Sequence, residues 1–273
     1  MSDLRGSIDL VAVDVDGTLR TTDHTVTART LAALAAFRAQ GGTVMMASGR
    51  PEHGLHHLAE VHGLGLEGLV ISSCNGAIIS DAVTGDVICS RLVSRELVAF
   101  AAEQAAARGL TAMVFDGGDL HVSNVDGFNV DHEAQSNNMR IVACADLASL
   151  DVVSPKVLIS GEPSHLATQA AGLREVFADR AETALSAPCY FEVTMPGVDK
   201  GSGLLDFCRV RGIDPSRAAA FGDHENDMPM IRAAGLGVAM GNALPQVKSI
   251  ANRVTLTNDE DGIAVVVEEL LHG

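Results

Sequence analysis

Apolar and polar positions alternate in blocks along the first third of the chain. Ile8–Leu19 reads IDLVAVDVDGTL. An apolar run this short and rich in β-branched residues predicts a strand buried on both faces, as in a parallel sheet. It ends in Asp14 and Asp16, followed at once by Gly17. Thr27 is placed to cap a helix running to about Gln40, with Leu31, Leu34 and Ala35 as its apolar stripe and Gly41-Gly42 as its stop. Thr43–Ala47 predicts a second buried strand, closed by Ser48-Gly49-Arg50. Strand, helix, strand is a right-handed parallel unit by default, which puts Ser48 and Asp14 at one sheet edge. Pro51 begins another helix, ending near Gly63. Leu69–Ser73 predicts a third strand leading into Asn75-Gly76, and Ala77–Ser80 with Val87–Ser90 reads as a hairpin.

The pattern then changes. Ser94–Arg108 predicts an Ala-rich helix, and Thr111–Phe115 with Leu120–Ser123 a hairpin around Asp116–Asp119. Residues 124–138 are polar and weakly patterned. Lys156–Ser160 predicts a strand, Ser164–Phe177 a helix, and Ala184–Ala187 and Tyr190–Thr194 further strands. From Asp199 the first style returns: a helix from Lys200 to Val210, strands at Ala218–Phe221, Gly237–Met240 and Arg253–Thr255, and helices at Met228–Ala234 and Asp261–Leu271. The expected architecture is α/β. Residues 1–87 and 190–273 form a parallel-sheet core with helices on both faces, and residues 88–189 form a separate α+β module inserted into it.

Ligands of open α/β sheets bind outside the carboxyl ends of the strands. Asp14, Asp16, Ser48, Lys200, Asp223 and Asp227 all fall at strand ends or helix starts of the core. Carboxylates offer hard oxygens to Mg²⁺. Hydroxyl and ammonium groups suit phosphate oxygens, and an Asp can act as a nucleophile. Asp-Val-Asp-Gly taken alone also fits an ordinary turn.

Composition narrows the partners. Against 35 acidic residues stand 19 basic ones, a net charge of −16. That argues against nucleic acid or an anionic membrane surface as partner, and it requires local cations or a metal for an anionic substrate. The chain has no stretch of membrane-spanning length and no basic-then-apolar leader. Its five cysteines are odd in number and lack a CxxC, as expected of a reduced, cytoplasmic protein. His53, His56 and His57 share a helix face, which is read as solvated because no further ligand obviously completes a metal site.

The motifs DVDGT (14–18), SGR (48–50), DKG (199–201) and GDHENDM (222–228) together resemble the haloacid dehalogenase-like phosphatase superfamily. Their order and spacing are similar to its Cof-type sugar-phosphatase branch, as are NGA (75–77) and MGNA (240–243). The resemblance covers the chain end to end. It implies a Rossmann-like core with a large inserted cap, and a Mg²⁺-dependent phosphohydrolase acting on a small phosphorylated metabolite. Under it Asp14 is the nucleophile and a Mg²⁺ ligand. Asp16 is the general acid/base, with its backbone carbonyl on the metal. Ser48, with Gly49, and Lys200 hold the phosphoryl group, and Asp223 is the acidic Mg²⁺ ligand. Asn226, Asp227, Asn75, Gly76 and Asn242 support the site. Asp16 must gain and lose a proton, so its pKa is expected near working pH. Arg20 departs from the family pattern and is expected to face solvent, while His224 is expected to be structural. A phosphotransferase or mutase on the same scaffold, or a non-catalytic phosphate sensor, are the rival functions. The polar residues Arg91, Asp119, His121, Asp126 and His132 are candidate substrate contacts in the cap.

Overall fold

The computed structural model describes residues 8–272. The first seven residues, part of the stretch inspected for a leader, lie outside the described residues. The chain runs β1 (Leu10–Asp14), α1 (Ala28–Ala39), β2 (Thr43–Ala47), α2 (Glu52–Val61), β3 (Leu69–Ser73), β4 (Ile78–Asp81) and β5 (Val87–Ser90). It continues through α3 (Arg95–Ala106), β6 (Thr111–Asp116), β7 (Asp119–Val122), α4 (Val130–Ser136), β8 (Arg140–Ala143), β9 (Val157–Ser160), α5 (Pro163–Phe177), β10 (Glu182–Ala187) and β11 (Tyr190–Thr194). It closes with α6 (Lys200–Arg211), β12 (Ala218–Gly222), α7 (Met228–Ala233), β13 (Leu236–Ala239), α8 (Pro245–Ile250), β14 (Arg253–Val254) and α9 (Gly262–His272).

These elements form two compact units. The first comprises the chain up to Cys89 and from Asp199 onward. Its eight-stranded sheet has the order β14-β13-β12-β1-β2-β3-β4-β5. The strands from β14 to β3 are parallel, and β4 turns back antiparallel to β3. β1 is central and fully buried, with Leu10 paired to both Thr43 and Ala218. Successive strand residues face opposite sides. Val11 and Val13 accordingly pack with Leu34, Phe37, Leu55 and Val267 of α1, α2 and α9. Leu10 and Ala12 pack on the other face with Leu204, Phe207 and Cys208 of α6. Burying each such Val or Leu is worth roughly 1.5–3 kcal/mol, so the apolar run of β1 fixes its own central place.

Thr27 caps α1, its side chain accepting from the Thr30 backbone N–H at 3.2 Å. The buried stripe of α1 is Thr30, Ala33, Leu34 and Phe37; Ala35 is exposed and Leu31 only half-buried. Phe37 displaces the expected stripe because its ring fills the space over Gly42, where an added Cβ would lie 2.3 Å from it.

The second unit spans Ser90–Val198. Its six-stranded sheet has the order β10-β11-β9-β6-β7-β8. One face carries Val114, Val157, Ile159, Phe191 and Val193, covered by α3 and α5 through Val98, Leu166 and Phe177. The other carries Met113, Phe115, Leu120 and Leu158, which pack with Val130 and Ala134 of α4. The chain crosses between units at 89/90 and 198/199, not at 87/88 and 189/190. Tyr190–Thr194 belongs to the second unit because β11 pairs antiparallel with both β9 and β10.

Three elements left no clear sequence pattern: α4, β8 and α8. α4 has seven residues, too few to show a period, and it is entered through Asn129 in the left-handed region at φ 58°. β8 is a half-exposed edge strand, parallel to β7. No helix among the described residues is long and apolar enough to cross a membrane.

Candidate active site

The parallel register brings the C-terminal ends of β1, β2 and β12 level, with Asp14 opposite Ala47 and Val13 opposite Phe221. Residues just beyond those ends therefore meet at one edge of the first unit. Lys200 enters from the first turn of α6. Asp199 starts that helix with a reciprocal cap: its Oδ1 accepts from the Ser202 N–H at 2.7 Å, and its own N–H reaches Ser202 Oγ at 3.0 Å. The Lys200 ammonium is 1% exposed. It donates to Asp14 Oδ1 at 2.5 Å and to Asp227 Oδ1 at 2.6 Å.

Asp227 is held from its other oxygen, where Oδ2 accepts the backbone N–H groups of Asp223 and His224, both at 2.9 Å. Gly222 makes that turn possible, since a Cβ there would lie 2.3 Å from Asp227 Cβ. Asp223 Oδ1 accepts from Thr18 Oγ1 at 3.1 Å. Gly17, at φ +84°, lets the same carboxylate approach: an added Cβ would meet Asp223 Oδ2 at 2.5 Å. Oxygens of Asp14, Asp223 and Asp227 lie within 4.8 Å of one another, the group of three His, Cys, Asp or Glu so arranged among the described residues. Hard carboxylate oxygens at this spacing fit a Mg²⁺ ion. Asp227, with one oxygen on Lys200 and the other on two N–H groups, serves as the frame of the cluster rather than its open donor.

Crowding shows in the titration of these groups. Burial pushes the Asp14 carboxyl up to about 7 against the pull of Lys200, with Asp227 and Asp223 adding to the rise. Asp223 is raised too, by burial and by Asp227. Burial alone lowers Lys200, but Asp14 and Asp227 outweigh it and hold the ammonium charged.

Asp16 lies one step further out, its side chain 48% exposed. Arg50 grips both its oxygens, Nε on Oδ2 at 2.7 Å and Nη2 on Oδ1 at 3.0 Å. Arg20 Nη1 donates to Oδ1 at 2.9 Å. Partial burial raises the Asp16 pKa, but the two guanidinium groups prevail and hold it below the usual carboxylate value, not near neutrality as expected. Arg20 likewise does not face solvent; its side chain is 16% exposed.

Ser48 is buried at the end of β2, its Oγ accepting the Arg50 backbone N–H at 3.3 Å. Asn75, left-handed at φ 57°, brings its N–H onto Ser48 O at 2.8 Å and its Oδ1 onto Asn226 Nδ2 at 3.2 Å. A Cβ on Gly49 would sit 3.4 Å from Asn75. Two of the expected supporting residues tie neighbouring segments together. Gly76 packs on the start of α6, where a Cβ would meet Asp199 O at 2.6 Å. Asn242 spans loops, donating to Gly17 O at 2.7 Å and accepting the Asn258 N–H at 3.1 Å. The sequence alone did not single out Arg50, Thr18 or Asn258 as individual residues, and it gave no sign that Arg20 meets Asp16. Arg50 and Thr18 stand inside the SGR and DGT motifs, which was the available signal.

The model of a haloacid dehalogenase-like hydrolase family matches residues 11–267. The chain is 31% identical over 270 residues to the 5-amino-6-(5-phospho-D-ribitylamino)uracil phosphatase YitU of Bacillus subtilis, covering 95% of this chain and 96% of that one. A solved haloacid dehalogenase-like hydrolase from Bacteroides thetaiotaomicron superposes with a TM-score of 0.89 at 31% identity, over 96% of this chain and 99% of that one. The subclass IIB sugar phosphatase BT4131 superposes with a TM-score of 0.74 at 25% identity, over 96% and 98% of the two chains. The fold, the matched family and the full-length relatives agree: the chain belongs to the haloacid dehalogenase-like hydrolases and is a phosphatase of their Cof-type branch.

Proposed function

We propose that this phosphatase hydrolyses small phosphomonoesters, sugar phosphates or related metabolites, through an aspartyl-phosphate on Asp14, with Mg²⁺ as its cofactor. The observation that carries the proposal is the buried Asp14–Lys200–Asp227 set beside Asp223 at the carboxyl edge of a parallel sheet. Asp14 and Asp223, with the Asp16 carbonyl, would hold the ion, and Asp227 fixes the loop that bears Asp223. When bound, Mg²⁺ neutralises phosphate charge and lowers the electrostatic barrier to attack.

The chain's own residues supply the rest. Asp14, held by Lys200, attacks phosphorus and takes the phosphoryl group. Lys200 then neutralises the charge shared by nucleophile and phosphoryl oxygens. Ser48 and the Gly49 backbone bind those oxygens, and Asn75 and Asn226 border the same space. Asp16, ionised in the free site beside Arg50 and Arg20, must take up a proton as the phosphate dianion binds next to it; it gives that proton to the leaving alcohol and later takes one from the attacking water, so one carboxylate serves both halves of the reaction. Splitting the reaction this way suits phosphate-monoester hydrolysis, one of the slowest uncatalysed reactions known.

By their names, YitU is a phosphatase of a ribityl phosphate and BT4131 a sugar phosphatase. They support a phosphorylated polyol or sugar as the substrate class. The test is a phosphomonoester panel with Mg²⁺, ranked by kcat/KM, with EDTA and Asp14→Asn controls. Phosphate release without any acceptor, lost in both controls, is expected. Strict dependence on an acceptor alcohol would favour a phosphotransferase, and substantial turnover by Asp14→Asn would refute the covalent route.

A further inference from the structure

We infer that Arg20 is a positioning residue for the proton-transferring carboxylate of Asp16, holding it through a clamp built into the loop after β1. The inference rests on the proposed hydrolase mechanism and adds to it a residue that none of the sequence motifs contains.

The geometry begins with the backbone. Leu19 N–H bonds Asp14 O at 3.1 Å and Arg20 N–H bonds Val15 O at 2.9 Å. Both bonds span five residues, so the chain leaves the strand through one wide turn. That turn returns Arg20 to the side of Asp16. The side chain is then fixed from behind. His24, in the left-handed region at φ 61°, turns its carbonyl onto the guanidinium, which meets it through Nε at 3.4 Å and Nη2 at 3.3 Å. Arg20 Nη1 is thereby aimed at Asp16 Oδ1.

The loop bearing this fork is itself tied down. Thr21 and Thr25 bond across it, Thr21 N–H to Thr25 O at 2.8 Å. Asn258 Nδ2 donates to Arg20 O at 2.8 Å, and Asn258 N–H donates to Asn242, which holds Gly17 O. Thr22 is anchored to Asp259 through its N–H at 2.8 Å and its hydroxyl at 2.6 Å. A half-exposed carboxylate beyond a strand end has several rotamers open to it. Three guanidinium N–H bonds, from Arg50 and Arg20, fix the plane of this one. Arg50 belongs to the turn that binds phosphate in the proposed mechanism, whereas the Arg20 guanidinium is braced by the His24 carbonyl of its own loop. Arg20 therefore keeps Asp16 oriented toward the leaving oxygen independently of how Arg50 responds to substrate.

A positioning role predicts an effect that scales with the need for a proton. Phenolate is a poor leaving group that benefits from protonation, while p-nitrophenolate departs readily without it. The experiment compares wild type, Arg20→Leu and Arg20→Lys with Mg²⁺ on phenyl phosphate and p-nitrophenyl phosphate, with thermal unfolding alongside. Arg20→Leu is expected to lower kcat/KM on phenyl phosphate about tenfold more than on p-nitrophenyl phosphate, a fraction of the roughly 10²–10⁴-fold worth of a general acid. Arg20→Lys, a single ammonium in place of the planar guanidinium fork, is expected to restore part of that ratio. An equal fall on both substrates, or no change on phenyl phosphate, would overturn the inference; so would a loss confined to KM, which would make Arg20 a substrate contact. Wild-type enzyme inert on the whole series would refute the hydrolase mechanism itself, and the inference with it.

Discussion

Removing the ammonium of Lys200 should unsettle the protein as well as silence it. Lys200 is buried between two carboxylates, one of them, Asp227, wholly buried. Lys200→Met keeps the length of the side chain and deletes its charge. It leaves Asp14 and Asp227 facing each other with their cation gone, so at pH 8 one must either stay charged and unpaired or take up a proton from a proton-poor solvent. Breaking a buried ion pair from one side costs about 3–5 kcal/mol. That is a large share of a typical stability of about 5–15 kcal/mol. At roughly 2–4 °C per kcal/mol for a chain of this size, the melting temperature is expected to fall by about 6–20 °C at pH 8 in EDTA. Two controls separate this electrostatic cause from lost packing. The deficit should narrow at pH 5, where Asp14 takes up a proton, and Lys200→Met/Asp14→Asn should recover more than half of it. A melting temperature within about 2 °C of wild type at pH 8 would refute the reasoning, because both an unpaired buried charge and the uptake of a proton at that pH cost stability.

Three further outcomes are expected at the same edge of the sheet. Asp14, pushed up to about 7 from 3.8, binds its proton more tightly folded than unfolded, so its contribution to stability is complete below about pH 4 and lost as pH rises through about 7. In EDTA, Asp14→Asn should flatten the urea-midpoint profile across that window, and an unchanged slope would refute the assignment. Gly17→Ala forces a Cβ to within 2.5 Å of Asp223 Oδ2 at a positive φ; the Mg²⁺ concentration for half-maximal activity is expected to rise about tenfold, given a strain of roughly 1–3 kcal/mol. Gly201→Ala places a Cβ 2.6 Å from the Pro229 carbonyl carbon, and the overpacking should cost about 1–3 kcal/mol in denaturant unfolding with the active-site groups otherwise intact.

Local signals carried the core of the first unit into view. β2, β3 and β5 match the expected spans residue for residue, because short apolar runs between Gly and polar turns admit few other structures. The strand-end carboxylates, Ser48 and Lys200 were legible for the same reason: parallel topology gathers the residues just beyond each strand. Contacts distant in sequence set the features that stayed hidden. Arg20 reads as one more surface cation until the wide turn of residues 14–20 and the His24 carbonyl bring it onto Asp16. The low pKa of Asp16 comes from those two arginines, which no count of nearby charges in the sequence could weight. Gly76 and Asn242 sit inside recognisable motifs, but their close packing and loop tethering depend on partners far away in sequence. In the second unit, α4 is too short and β8 too exposed to leave a periodic trace.

The insertion of a whole sheet into the first unit has a consequence for synthesis. Thr18 and its partner Asp223 are 205 residues apart, and Lys200 is 186 residues from Asp14. At about 5–20 residues per second, a ribosome spends roughly 10–40 s between emitting the two ends of that first bond. The contiguous second unit can complete all its pairings during that interval, while β1 must wait for β12. The slow, non-local pairing thus comes last. A nascent chain truncated before Asp223 would carry Asp14 and Ser48 but no assembled carboxylate cluster, so the order of translation itself keeps an unfinished enzyme inert.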